Sequence, residues 1–213
     1  MSETVELATA ETPKELITAD VSPRNLLQNT KALAMINRLA ERYADSDMVP
    51  QSYKGKPNNC FVALELASRM DVSPVLVMQN LYIVQGKPSW AGQACKALID
   101  GSGKFADSEY VLVGNPADDT WGCYLQAVNV KTGKLVKGST VTMKLAKDEG
   151  WLNKNGSKWK TMPEQMMKYR AAAFFARTEC PEVLMGFQTA DEVQDVNGAE
   201  KTASEKITIS LED

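Results

Sequence analysis

Apolar and polar positions follow two periods along this chain, and the change between them marks its elements. Residues 26–43 repeat at helical spacing through Leu26, Leu27, Leu33, Ile36 and Leu39, behind Ser22-Pro23 as N-cap and first helical residue. After a polar loop over 48–57, in which Tyr53 sits among Lys54 and Lys56, residues 59–70 predict a second helix buried through Phe61, Val62, Leu64 and Leu66. Ser73-Pro74 opens a short third helix. Residues 81–84 form an apolar strand that ends in the turn Gln85-Gly86-Lys87-Pro88, and Ser89 caps a helix over 90–99 that Gly101 and Gly103 stop. Three strands follow over 110–113, 121–130 and 135–143, with a hairpin turn at Lys131-Thr132-Gly133-Lys134.

Residues 151–186 are the densest stretch. Asn155-Gly156 is a strong two-residue hairpin signal, because both central residues of such a turn need positive φ. In that ribbon Leu152 faces Trp159, while Trp151, Lys158 and Lys160 share the other side. Pro163 then starts a helix whose Met167, Ala171 and Phe174 line one side. Arg170 and Arg177, seven apart with Ala173 between them, line a neighbouring side. Small residues between long cations let a phosphate backbone approach; the same pattern also fits a core helix with solvated arginines. The order of elements predicts an α+β fold: a mainly antiparallel sheet with a packed C-terminal helix and N-terminal helices.

Charge sharpens this picture. The 213 residues carry a net -3, but residues 1–20 hold -4 and residues 190–213 hold -5, which leaves +6 for residues 21–189. Within that body, residues 131–170 have ten basic side chains against three acidic ones. Such a block is a solvated face or an electrostatic footprint for a polyanion. The expected organisation is an acidic flexible arm (1–20), one core domain (21–189) and an acidic flexible tail (190–213). The acidic start is unlike a signal peptide, and no apolar run approaches a bilayer span, so a soluble cytoplasmic protein is expected.

The chain contains no histidine, which excludes Ser-His-Asp and Cys-His catalysis and any imidazole base. Cys60, Cys95, Cys123 and Cys180 are too scattered for a zinc site and read as reduced, mostly buried thiols. Gly101-Ser102-Gly103-Lys104 resembles a phosphate loop only superficially: Leu98 replaces the first glycine and Phe105 the metal-binding hydroxyl. It reads as a helix C-cap. Asp118-Asp119 and Asp148-Glu149 lack a third carboxylate at a nuclease-like spacing. Binding is favoured over catalysis, with no cofactor and no metal.

Against this background, Gly150-Trp151, Ser157-Lys158-Trp159, the run from Thr161 to Met167, Tyr169-Arg170-Ala171-Ala172, Phe174-Phe175-Ala176-Arg177, Pro181-Glu182 and residues 186–192 resemble the RecT family of phage recombinases. Residues 81–105 are similar to the family's middle region, so the likeness covers roughly 80–195, and its C-terminal half is the more specific. The acidic tail matches no family motif. The resemblance implies an ATP-independent protein that binds single-stranded DNA and anneals complementary strands as a ring or helical oligomer, inside a bacterial host. Implied partners are single-stranded DNA, the annealed duplex intermediate, a phage exonuclease and the host single-strand-binding protein.

Annealing breaks no covalent bond, which suits a chain without a catalytic base; cations should hold the backbone and leave base edges free. The candidate DNA contacts are Lys158, Lys160, Lys168, Arg170 and Arg177, with Lys144, Lys154 and Lys87 in support. Trp151, Trp159 and Trp90 are candidates for stacking or for core packing. Two rival classes remain: a phage scaffold whose basic face binds an acidic partner, and a nuclease built on the acidic pairs.

Overall fold

The computed structural model describes residues 29–195; Ser22-Pro23, the N-terminal arm and residues 196–213 lie outside that range. Helix α1 (Thr30–Ala44) starts at Asn29, whose side-chain oxygen accepts from the Lys31 and Ala32 amides. It buries Ala32, Ile36, Ala40 and Ala44 against α2 (Pro57–Met70). Within α2, Leu64 and Leu66 are buried as the spacing predicts, whereas Val62 is exposed and Phe61 only half-buried. Tyr53 belongs to the core and donates from its hydroxyl to the Leu81 carbonyl at 2.9 Å, so the basic-aromatic patch expected at 53–56 does not form.

Helix α3 (Pro74–Asn80) leads into β1 (Leu81–Val84), which pairs antiparallel with β2 (Lys87–Trp90). Their turn is Gln85-Gly86, with φ of 51° and 80°, the geometry required of a two-residue hairpin. Lys87 and Pro88 are therefore strand residues, and Ser89 is no cap: it is buried in the strand, donating to the Lys87 carbonyl. Pro88 is tolerated because β7 (Gln188–Thr189) pairs in parallel only with Ser89 and Trp90. Helix α4 (Gly92–Gly101) begins after Ala91 and ends at the glycine pair as expected, with Gly103 at φ +66°.

The second sheet places β4 (Gly122–Asn129) between β3 (Phe105–Val113) on one side and β5 (Leu135–Lys137) and β6 (Val141–Thr142) on the other, all antiparallel. β3 starts earlier than its apolar run because a bulge between Ala106 and Glu109, with Asp107 at φ 52°, breaks the alternation. The strand expected over 135–143 is interrupted at Gly138, where an added Cβ would lie 3.1 Å from Phe175. It ends at Thr142, whose hydroxyl caps α5 (Met143–Asp148) by accepting from the Leu145 amide.

Helix α6 (Pro163–Glu179) is the centre of the molecule. It buries Ala172, Ala173, Phe175 and Ala176 in the larger apolar cluster, and Met167 and Ala171 in a smaller one with Cys123, Val141, Trp151 and Trp159. The protein is thus an α+β fold with mainly antiparallel sheets, N-terminal helices and a packed C-terminal helix. All four cysteines are free and buried; burial pushes the Cys95 thiol up to about 12, which keeps it protonated. Among the described residues no helix is long and apolar enough to cross a membrane.

Candidate nucleic-acid interface

The two-tryptophan segment is not a hairpin. Trp151–Asn153 is a turn of 3-10 helix, and residues 154–161 continue as turns with no strand pairing. Gly156 has φ +69°, but Asn155 does not reach positive φ. The flanking residues explain this: Asn153, Lys154, Ser157 and Lys158 lack the apolar alternation that would hold a ribbon to a sheet. Instead the Ser157 hydroxyl donates to the Trp151 carbonyl at 2.6 Å and folds the segment back on itself. Trp151 and Trp159 then pack together, ring centroids 5.1 Å apart, both buried. Trp151 therefore does not share an open face with Lys158 and Lys160. Trp90 is fully buried, its indole donating to the Leu184 carbonyl at 3.1 Å.

The arginines of α6 also turn inward. Arg170 is 5% exposed and lies over the Trp151 ring, 4.1 Å from its centroid. It donates to Asp195 Oδ2 at 2.6 Å and faces Glu192 Oε1 at 3.9 Å. Arg177, more exposed, donates to Glu192 Oε2 at 3.0 Å, and Lys154 pairs with Asp195. The acids come from residues 190–195, which the composition assigned to a loose tail and which here start a helix. Thr189 precedes that helix, and its amide and hydroxyl both donate to Glu192 Oε2 at 2.8 Å. Thr189-Ala190-Asp191-Glu192 is a capping-box pattern, the signal that could have placed this helix in advance. Burial raises the Asp191 carboxyl above its usual range, opposed by nearby Arg170 and Lys154. Ala173, read as room for a phosphate backbone, is buried.

The remaining candidates face outward. Lys158 and Lys160 are exposed and have no ion pair among the described residues; they line an open hollow with Lys154 and Thr161. Lys168 is half-buried and pairs with Glu164 one helical turn away, and Lys144 pairs with Asp148 at 2.6 Å on the exposed side of α5. Lys87 is exposed on the β1–β2 hairpin and lines neither the lysine hollow nor the groove beside it. Lys131 and Lys134 stand exposed on the β4–β5 turn. Of the acidic pairs, Asp119 bonds Lys147 and Asp148 bonds Lys144, and the described residues contain no cluster of His, Cys, Asp or Glu able to hold a metal ion.

Family models, curated proteins and solved structures yield no match to this chain. Beyond Thr161, which also lines the lysine hollow, a second groove of about 540 Å³ opens. Tyr110 from β3, Trp121 just before β4, and Met162, Gln165, Lys168 and Tyr169 around the start of α6 form its walls. Tyr110 and Trp121 are distant in sequence from the basic stretch, so no local motif announces this grouping. The surface combines unpaired cations with accessible aromatic rings, which suits a polyanion bearing flat bases.

Proposed function

We propose that the protein binds single-stranded DNA on the surface around Thr161 and, as an oligomer, anneals complementary strands without ATP, in phage-type recombination. The supporting observation is that Lys158 and Lys160, within the most basic block of the chain, remain exposed without an ion pair among the described residues and adjoin an aromatic groove. Lysines of this kind hold phosphates without reading sequence, which leaves pairing to the bases. The resemblance of residues 80–195 to RecT recombinases selects annealing among the uses of such a surface. A phage exonuclease that supplies the strand and the host single-strand-binding protein are the partners this reading implies.

The test mixes two complementary oligonucleotides, one carrying a fluorophore and the other a quencher, with the full chain and no nucleotide. Annealing should outpace that of the DNA alone and slow as salt rises. Equal rates with and without protein would reject the proposal, and strand cleavage in Mg²⁺ would replace it with nuclease action.

A further inference from the structure

The geometry points to the Tyr110–Trp121–Tyr169 groove as a slot for one unstacked base of a single strand, with the neighbouring phosphate at the N-terminus of α6. This inference rests on the single-strand reading above and gives it a place where base and backbone are held separately.

Three observations converge. First, the rings come from three separate parts of the fold, and Tyr110 and Trp121 each pack one side against the inner cluster of Trp151, Trp159 and Met167. Packing fixes their orientation, so a stacking platform exists before any ligand arrives. At about 540 Å³ the groove falls within the ~300–1,000 Å³ of ligand-sized sites.

Second, the end of α6 that borders the groove has no side-chain cap. Its N-cap is Met162, 42% exposed and making no capping bond, and Pro163 has no N–H, so the positive end of a 17-residue helix borders the groove, the one acid of its first turn, Glu164, being paired with Lys168. An anion is the natural complement.

Third, the charges suit a polyanion better than an apolar peptide. Glu164 is neutralised by Lys168, and the groove continues through Thr161 into the hollow bearing the unpaired Lys158 and Lys160. A strand with its base in the slot thus has cations along its onward path. Stacking on aromatic faces is tolerant of sequence, as an annealing protein requires.

The experiment compares binding of a labelled oligothymidylate and an abasic strand of equal length to the full chain, by fluorescence anisotropy. The wild type should prefer the oligothymidylate by roughly 5- to 150-fold, the range for one stacked base. Trp121→Ala should lose most of that preference while holding the abasic strand as before, and Trp121→Phe should keep much of it. Met162→Asp supplies a favoured N-cap, so its melting temperature should be equal or higher, yet it should bind both strands more weakly. A wild type that binds both strands equally, or an undiminished preference in Trp121→Ala, overturns the slot and leaves the single-strand reading standing. Failure of the wild type to bind either strand removes that reading and the slot with it.

Discussion

Arg170 illustrates how a cation that looks like a ligand contact becomes part of the interior. Trp151 covers one face of its guanidinium, Asp195 takes a hydrogen bond, and Glu192 lies opposite with one oxygen buried and without a hydrogen bond. Removing the arginine takes away the cation shared by two partly buried carboxylates, leaving Glu192 with Arg177 and Asp195 with Lys154 and the buried Glu192 Oε1 facing an apolar wall. Arg170→Ala should therefore cost about 3–5 kcal/mol, read from the urea midpoint. A loss below about 1 kcal/mol, the level of an exposed pair, would contradict this account. Asp191 provides a test of the opposite sign. Its folded carboxyl is raised chiefly by burial, so protonation favours the folded state: that contribution is complete below the ordinary carboxylate range and is lost as pH rises through the raised value. Asp191→Asn should melt higher than the wild type at pH 7, and the gain should shrink as the pH falls towards 4. A gain that grows on acidification would mean that the nearby cations outweigh burial.

Helix α6 was legible from Pro163 at its start, and of its Met167, Ala171 and Phe174 stripe the first two are buried, while Phe174 is half-buried and Phe175 fills the core instead. How many of its sides would be covered was not legible. Ala173 looks like a spacer in sequence, yet Ala172, Ala173 and Ala176 are buried along with Ala171, because the sheet lies on one side, α4 on another and residues 190–195 near a third. Ala173→Leu should overpack this seat and cost ~1–3 kcal/mol in chemical denaturation; an unchanged midpoint would mean that the seat has room. The hairpins teach a related lesson. Asn155-Gly156 has the stronger local turn signal, but Gln85-Gly86 forms the two-residue hairpin, since Leu81 and Trp90 anchor its strands in the core. Tertiary burial decided the matter over turn propensity. The same limit hid the candidate site: exposed Lys158 and Lys160 can be read locally, whereas the grouping of Tyr110, Trp121 and Tyr169 exists only once the sheet and α6 are packed.

For the whole molecule the question is how many of the clustered charges can meet a strand. Five phosphate contacts, one each from Lys158, Lys160, Lys168, Arg170 and Arg177, would give a log-affinity against log-salt slope of about -3.5 on single-stranded DNA, about 0.7 per contact. Acidic groups of residues 191–195 already satisfy Arg170, Arg177 and Lys154, and Lys168 is shared with Glu164. Each of these would have to leave a carboxylate to reach a phosphate, and that exchange offsets most of the gain. The unpaired Lys158 and Lys160 meet no such cost, so they should dominate the salt dependence, and the wild-type slope should be shallower than -3.5. The double variant Lys158→Ala/Lys160→Ala should flatten it by a further ~1.4 without moving the melting temperature, since both side chains are exposed. Arg177→Ala should change the slope far less, because its guanidinium bonds Glu192. The opposite ranking, with Arg177 carrying the slope and the two lysines silent, would mean that DNA displaces Glu192 and that binding opens the segment over α6.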